Sequence, residues 1–377
     1  MIPFNKPYLS GRETEYIQQA AAALKLSGDG IFTKKCHTFF ETKYGFTKCL
    51  LTTSCTDALE MAALLARIKP GDEVIIPSFT FVSTANPFVL RGATIVFADS
   101  EEQTGNINAA QIEELITPKT RAIVPVHYAG VACDMDLIQG IAQKHNIIII
   151  EDAAQAVDSY YKGKPLGSFG EFAAFSFHET KNIISGEGGM ITINNPEYVE
   201  RAEIIREKGT NRSRFFRGEV DKYGWVDMGS SFLPSEIISA FLYAQLENLA
   251  EIQAKRKKIW DLYFHGLSPL ADEGYIKLPF LPAYATNNAH MFYLHCSNLE
   301  QRTRLISYLK QKGITAVFHY QSLHQSPFFK NNYKGKELPV SDRLTDRLVR
   351  LPFFYDLDEN EIAYIIESIK LFFKQPG

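Results

Sequence analysis

The sequence has few cysteines, and none of them is placed to pair. Five cysteines are scattered over 377 residues, and no two of them form a Cys-x-x-Cys motif. An odd, scattered set argues against a disulfide framework and against a zinc site, so we predict no metal and a reducing compartment. The cysteines are Cys36, Cys49, Cys55, Cys133 and Cys296.

A strong net charge and long apolar runs are also missing. The 40 lysines and arginines nearly balance the 43 aspartates and glutamates, which leaves a net charge of −3. This balance gives no reason to expect nucleic acid or an anionic membrane as a partner. No apolar run approaches transmembrane length, and the first residues, MIPFNKPYLSGRE, lack the apolar core of a signal peptide. We therefore expect a cytoplasmic protein without a membrane or nucleic-acid partner.

A glycine-rich dinucleotide motif is absent as well. No GxGxxG sequence follows the first predicted strand, which makes a Rossmann-type oxidoreductase the weaker interpretation of an α/β pattern. The sequence nevertheless alternates strands and helices from residue 73 onward. Helices are predicted at Ala109–Ile116 and Met135–His145, and across TFVSTANPFVL (80–90) despite Pro87. The predicted strands are EVIIP (73–77), TIVFAD (94–99), RAIVPVH (121–127) and IIIIED (147–152).

Continuous apolar strands between helices predict an α/β fold whose large, mainly parallel sheet is covered on both faces. The pattern changes near residue 268, where strands near 291–296 and 315–318 alternate with helices near 301–311 and 358–373. We therefore predict a large domain with an N-terminal arm over residues 1–250. A connecting helix and a smaller α+β domain are predicted over residues 251–377.

One lysine follows a predicted buried strand. The segment Phe172–Lys181, FAAFSFHETK, begins with an apolar run and ends with polar residues and Lys181. The ends of parallel strands are where α/β sheets bind ligands. A desolvated lysine there loses its charge more easily and can attack an aldehyde, although a single lysine is more often a surface residue.

Two further segments favour a functional role for Lys181 over that of a surface residue. Asp152 ends the strand IIIIED, and a carboxylate at a buried strand end needs a partner such as a protonated ring nitrogen. Ser54 or Thr56 can cap a helix whose N-terminus would bind a phosphate. A carboxylate for a pyridine nitrogen, a lysine for an aldehyde and a helix N-terminus for a phosphate together describe pyridoxal phosphate (PLP).

Several longer motifs lie around these residues. With them the sequence resembles the DegT/StrS family of sugar-nucleotide aminotransferases, which have the aspartate-aminotransferase fold type, and the resemblance covers essentially the whole chain. As a set the motifs are highly specific, although each alone is not. They are SCTDAL (54–59), VIIPSFTFVSTANPFVLRGA (74–93), PVHYAG (125–130), EDAAQA (151–156), GSFGEFAAFSFHETKN (167–182), GEGGMI (186–191) and VFHY (317–320).

The resemblance implies roles around the cofactor. Lys181 would bind the PLP aldehyde covalently and then act as the catalytic acid and base, and Asp152 would keep the pyridine nitrogen protonated. Gln155 would contact the ring hydroxyl, and Phe81 would stack on the ring. The phosphate would be bound by Cys55, Thr56, Asp57 and Ser176, with Cys55 replacing the family's frequent glycine.

The resemblance also implies a homodimer with shared active sites. Family members often send an asparagine to the partner's phosphate in a Gly-x-Asn-x-Arg pattern. Here Ser231 stands at the asparagine position, where its hydroxyl could replace that contact, and Leu233 stands at the arginine position.

Four residues are candidate substrate contacts, and one is a candidate proton carrier. Arg217 and Lys222 lie in a basic stretch that either binds the nucleotide diphosphate or is simply solvated. His319 and Tyr320 follow a predicted strand in a region that approaches the substrate in the family, although a structural role is equally open. His178 either carries a proton beside Lys181 or is a packed polar residue.

The resemblance implies transfer of an amino group from L-glutamate to a nucleotide-linked keto-sugar, in surface-polysaccharide synthesis. Some runs favour a subgroup that acts on dTDP-4-keto-6-deoxy-D-glucose; they are SCTDALEMAALL, FHETKN, AEIIREKGTNRS, FFRGEVDKY and GSSFLPSE. Retention of Lys181 favours transamination, because family members that dehydrate sugars carry histidine there. A 3-keto-sugar aminotransferase, a PLP-dependent dehydratase and a cofactor-binding regulatory paralogue remain the alternatives.

Overall fold

The computed structural model describes residues 1–331 and 333–374. No helix in these ranges is long and apolar enough to cross a membrane. The strands are β1 (Lys48–Thr52), β2 (Glu73–Pro77), β3 (Thr94–Ala98), β4 (Thr120–Ile123), β5 (Ile148–Asp152), β6 (Tyr160–Tyr161), β7 (Lys164–Pro165), β8 (Phe172–Ser176), β9 (Gly189–Ile193), β10 (Tyr293–His295), β11 (Val317–Phe318) and β12 (Leu348–Arg350). The helices are α1 (Glu13–Ala22), α2 (Ile31–Tyr44), α3 (Cys55–Leu65), α4 (Asn86–Leu90), α5 (Met135–His145), α6 (Val199–Arg206), α7 (Arg212–Phe216), α8 (Glu236–Glu247), α9 (Leu249–Asp272), α10 (Leu299–Gln311), α11 (Pro339–Arg347) and α12 (Glu359–Lys374).

Seven strands form one sheet in the order β1-β9-β8-β5-β4-β2-β3. Strand β9 runs antiparallel to both of its neighbours, and the other neighbouring pairs are parallel. The predicted mainly parallel, mixed sheet is therefore confirmed. Because β5 and β8 are adjacent and parallel, Asp152 and Ser176 end their strands at the same edge of the sheet.

The apolar strands are buried on both faces, as their composition predicts. Successive side chains of a strand point to opposite faces, and here they enter two different core clusters. Ile149, Ala173 and Phe175 pack in one cluster, with α2 and α5. Ile150 and Phe172 pack in the other, with α3. A strand that must fill two cores needs an apolar residue at every position, which explains why IIIIED shows no polar alternation.

The C-terminal part has its own small sheet and core. Strands β10, β12 and β11 form an antiparallel sheet in that order, and α9, α10 and α12 pack around it. Ile2 belongs to the same core and pairs with Ile314, so the N-terminal arm is attached to the C-terminal part. The division at residue 250 stays a prediction, and α9 runs through that point without a break.

Two helix predictions differ from the structure. The segment Ala109–Ile116 forms two 3₁₀ turns, because a segment this short gains little from helix propagation. The segment 80–90 forms a 3₁₀ turn at Val82–Thr84 followed by the short helix α4. Pro87 lies in the first turn of α4, where its missing N–H costs nothing, whereas it would break a helix that ran through it.

Candidate active site

A cavity of about 710 Å³ lies at the carboxyl ends of the parallel strands, between the large sheet and the C-terminal part. The large sheet and its connections supply Asp152 at the end of β5, Ser176 at the end of β8 and the first turn of α3. The C-terminal part supplies the opposite wall. Ten of the predicted site residues line this cavity: Cys55, Thr56, Phe81, Asp152, Gln155, Ser176, His178, Lys181, His319 and Tyr320.

Asp152 is a buried carboxylate that faces the cavity. Thr84 Oγ1 donates to one of its oxygens at 2.7 Å, and the Ala154 N–H donates to the other at 3.2 Å. Burial raises the pKa of Asp152 above its usual value, although these two hydrogen bonds oppose the shift. A cation bound in the cavity would therefore stabilise the ionised carboxylate, as the proton on a pyridine nitrogen does.

Lys181 lies in the turn that follows β8. Its backbone N–H donates to the carbonyl of His178 at 2.9 Å. Its Nζ forms no hydrogen bond or ion pair with any residue that the structure describes. Burial lowers the pKa of Lys181 to about 8, while Cys55 and Asp152 oppose the shift. About a tenth of this amine is therefore uncharged at pH 7, far more than for a lysine with the ordinary pKa near 10.4, and the uncharged form is a nucleophile toward an aldehyde.

The N-terminus of α3 faces the same cavity. The Ser54 hydroxyl accepts from the Asp57 N–H at 3.0 Å, and the Ser54 carbonyl accepts from the Ala58 N–H at 3.1 Å. The backbone N–H groups of Cys55 and Thr56 have no acceptor among the described residues. Gly189 permits this packing, because a Cβ there would lie 2.3 Å from the Ser54 carbonyl oxygen. Free N–H groups at the positive end of a helix form a site for a phosphate.

Gln155 connects the sheet to the opposite wall. Its Oε1 accepts from the Ala129 N–H at 2.6 Å, and its Nε2 donates to the Tyr320 hydroxyl at 3.0 Å. Tyr320 has a left-handed φ of 48° and stacks on His319, with ring centroids 3.6 Å apart. Phe81 is 55% exposed and its ring centroid is 6.1 Å from that of Tyr320. An exposed phenylalanine at a cavity wall is available to cover a flat ligand.

His178 lies at the rim of the cavity. Its Nδ1 accepts from the Thr180 N–H at 3.2 Å, and its Nε2 lies 3.6 Å from a carboxylate oxygen of Glu187. A neutral ring with this arrangement carries its proton on Nε2. This geometry fits a proton carrier and a packed polar residue alike, so both interpretations of His178 stand.

The other predicted site residues do not line this cavity. Arg217 forms ion pairs with Glu203 at 2.8 Å and Glu219 at 2.6 Å, whereas Lys222 and Ser231 are exposed elsewhere on the surface. The phosphate contact of Asp57 stays a prediction. Its N–H donates to the Ser54 hydroxyl and its carboxylate accepts from Thr53, so both groups have partners in this structure.

Thr84 and Arg350 are among the cavity residues that were not predicted from the sequence. Thr84 donates to Asp152, and Thr80 Oγ1 lies 2.8 Å from Thr84 Oγ1. The sequence offers a weak signal for Thr84, because it follows Phe81 by one turn. Arg350 ends β12 and lines the cavity from the C-terminal part. No strand was predicted at β12, so nothing in the sequence placed this arginine at the site.

The residues present fit the cofactor that the sequence predicts. A nucleophilic lysine, a buried carboxylate that would be stabilised by a cation, and a helix N-terminus with two free N–H groups face one cavity. These groups match the aldehyde, the pyridine nitrogen and the phosphate of PLP. Lys181 would hold the aldehyde carbon, Asp152 the ring nitrogen, and Cys55, Thr56 and Ser176 the phosphate.

Comparison with known proteins agrees with this arrangement. The family model DegT/DnrJ/EryC1/StrS aminotransferase family matches residues 7–370. The chain is 32% identical to GDP-perosamine synthase of Caulobacter vibrioides over 96% of each sequence, and 33% identical to an uncharacterized protein of Methanocaldococcus jannaschii over 90% of this chain and 89% of that protein.

Among solved structures, a candidate sugar aminotransferase of Streptococcus pneumoniae in its PLP form superposes with a TM-score of 0.91 at 26% identity. The match covers 99% of this chain and 98% of the other. A family match over nearly the whole length, together with a cavity of the right chemistry, settles the class of the protein. The chain belongs to the DegT/DnrJ/EryC1/StrS aminotransferase family, and its cofactor is pyridoxal phosphate.

Proposed function

We propose that this aminotransferase moves an amino group from L-glutamate to C4 of dTDP-4-keto-6-deoxy-D-glucose. The products would be dTDP-4-amino-4,6-dideoxy-D-galactose and 2-oxoglutarate, for use in surface-polysaccharide synthesis. The observation that carries the reaction type is the convergence of Lys181, Asp152 and the α3 N-terminus on one cavity. The identity of the sugar is supported by the subgroup motifs, among them FHETKN and GSSFLPSE.

The chain's own residues divide the work of such a reaction. Bound PLP supplies the aldehyde carbon that carries the amino group and a ring that accepts electrons. Asp152 holds the proton on the ring nitrogen, which keeps that ring electron-poor. Lys181 Nζ would take the proton from the donor's Cα and return it during transfer. Phe81 covers the ring from its exposed position on the cavity wall.

The nucleotide and the sugar are decided by one spectroscopic experiment. We expect the PLP-loaded protein to show a visible band that L-glutamate bleaches and that dTDP-4-keto-6-deoxy-D-glucose restores. A GDP-linked keto-sugar is the matched alternative, because GDP-perosamine synthase is a relative. NMR of the product then gives the position and stereochemistry of the new amine. Recovery of the band with the GDP sugar alone would contradict the proposed substrate.

We further propose that the protein is a homodimer, supported by an exposed apolar stretch close to Ser231. Phe216 is 69% exposed, Trp225 84% and Met228 53%. Contiguous exposed aromatic and apolar side chains mark a protein interface. Arg217 and Lys222 lie in the same stretch, so the interface would bring them and Ser231 toward the partner's cavity.

Sedimentation of the PLP-loaded protein checks the assembly. We expect a dimer at the concentrations used for turnover. A Trp225→Asp, Met228→Asp double variant should dissociate, since two charges would have to be buried. A wild-type monomer that turns over would contradict the proposal, and Tyr364→Asp, on the exposed face of α12, serves as the matched control.

A further inference from the structure

Arg350 places a guanidinium group in the cavity wall without an anionic partner. It ends β12, and its Nε is buried with no hydrogen-bond partner in the part of the chain that the structure describes. No carboxylate in that part forms an ion pair with it. The face of the guanidinium is covered by Phe4, whose ring centroid lies 4.7 Å from its Cζ. Arg350 is half-buried, and a partly desolvated charge without a partner is costly, so a bound anion would lower that cost.

The other charges of the cavity wall already have partners or assigned ligands. The wall contains the acids Asp152 and Glu187 and the cations Lys181 and Arg350. Asp152 serves the ring nitrogen, and Glu187 lies at the rim beside His178. Lys181 serves the aldehyde carbon, and the phosphate has the N-terminus of α3. Arg350 is therefore the cation that the cofactor leaves free for a substrate.

We propose that Arg350 binds the α-carboxylate of the amino donor and that Phe4 positions its guanidinium. The inference rests on the proposed transfer from an α-amino acid. A planar guanidinium matches a carboxylate with two parallel hydrogen bonds. The place of Arg350 also fits, because an α-carboxylate is bonded directly to the carbon that carries the amine. In a 4-keto sugar nucleotide, the sugar ring separates the diphosphate from the reacting carbon.

Arg350 and Lys181 line the same cavity, and their charges are near enough to interact. Its charge contributes to lowering the pKa of Lys181, although burial is the larger cause. His290 also lines the cavity. Burial lowers its pKa, and the positive charges of Lys181 and Arg350 lower it further. An anion bound at Arg350 would thus occupy the same cavity as the amine that moves the proton. This position suits a group attached to the donor's Cα better than a distant diphosphate.

The N-terminal arm joins Arg350 to the turn that bears Lys181. The Phe4 carbonyl accepts from the Phe353 N–H at 3.1 Å, which fixes Phe4 beside β12. Asn5 Nδ2 donates to the Glu179 carbonyl at 3.2 Å, two residues before Lys181. The arm therefore sets the distance between the proposed carboxylate anchor and the catalytic amine, and Phe4 is a positioning residue rather than a catalytic one.

The test separates the two half-reactions of the PLP-loaded protein. For Arg350→Gln we expect the half-saturating concentration of L-glutamate to rise about 30- to 1,000-fold, as for loss of one partner of a buried charge pair. Reaction with 4-aminobutyrate, which is glutamate without its α-carboxylate, should change less than about twofold. Reaction of the pyridoxamine-phosphate-loaded variant with the keto sugar should also stay within about twofold. Arg304→Gln, an exposed arginine on α10, is the matched control.

Two further variants keep the test informative. Arg350→Lys retains the charge but lacks the two parallel N–H donors of a guanidinium. We expect the half-saturating concentration to rise about 10-fold, for glutamate alone. Phe4→Leu keeps an apolar side chain but removes the ring. We expect the half-saturating concentration to rise about 3- to 10-fold, again for glutamate alone. An unaltered glutamate response in Phe4→Leu would overturn the positioning role.

The outcomes distinguish this inference from the proposed function. Loss confined to the sugar half-reaction would mean that Arg350 binds the diphosphate, and equal loss with glutamate and 4-aminobutyrate would mean that it only packs; either result overturns the proposal. If the wild type ignores glutamate but accepts L-alanine, the proposed donor is wrong. The same comparison, made with L-alanine and ethylamine, then decides the role of Arg350.

Discussion

We expect Lys181→Ala to lose at least about 10⁴-fold in turnover while it still binds the cofactor. The substitution removes both the nucleophile that captures the aldehyde and the base that moves the proton. The α3 N-terminus and Asp152 remain, so PLP should bind without the visible band of its lysine-bound form. Steady-state turnover with L-glutamate and the keto sugar, together with the absorption spectrum, measures both effects. Lys119→Ala, an exposed lysine before β4, is the matched control.

The pH dependence of the wild type gives an independent check on the same residue. Because burial lowers the pKa of Lys181 to about 8, the amine is protonated below that pH and neutral above it. The rate of covalent PLP capture by the apoprotein should therefore rise with pH and level off above about 8. A model lysine amide should keep rising toward its ordinary pKa near 10.4. A protein profile that followed the model amide, or a fully active Lys181→Ala variant, would contradict the assignment.

We expect Asp152→Asn to slow proton abstraction from the donor by about 100- to 1,000-fold. Asparagine has nearly the same shape. Its Oδ1 can accept from the Ala154 N–H and its Nδ2 can donate to Thr84 Oγ1, whose hydroxyl can then donate to Thr80, so the fold of the cavity should persist. An amide, however, cannot hold a proton on the ring nitrogen, and the ring then accepts electrons poorly. The measurement is the single-turnover bleaching of the PLP band by L-glutamate.

The control for Asp152→Asn is the thermal stability of the apoprotein. The buried carboxylate is the costly form at this site, since burial raises its pKa. The neutral asparagine should therefore leave the apoprotein at least as stable as the wild type, while the holoenzyme loses activity. An unaltered bleaching rate, or a loss that is explained by unfolding, would exclude the proposed role of Asp152.

The sequence could predict the half of the site that the large sheet supplies. Asp152 and Lys181 follow apolar strands, and the rule that ligands bind at strand ends applies to any strand that can be recognised. Ser54 caps a long amphipathic helix, which is an equally local signal. The fold class followed from the same strands. Local patterns of this kind survive in the structure because they depend on few distant contacts.

The remaining half depends on tertiary contacts. Strand β12 is three residues long and exists because it pairs with β10 and β11, so its last residue, Arg350, carries no local signal. The hydrogen bond from Thr84 to Asp152 crosses from a 3₁₀ turn to β5. The proposed roles of Ser231, Arg217 and Lys222 depend on contacts with a partner chain. The segment Ala109–Ile116 shows the opposite case. A helix was predicted there from local sequence, but the local helix preference is too weak to form one.

The attachment of the N-terminal arm bears on how the protein assembles during translation. Ile2 pairs with Ile314, more than three hundred positions later, whereas the seven-stranded sheet has all its strands by residue 193. At ordinary ribosomal speed the arm waits roughly 15 to 60 s for its pairing segment. The Lys181 turn and the strand ends can therefore form well before Phe4 reaches Arg350. Although Ile2 is among the earliest residues synthesised, it would be among the last to dock.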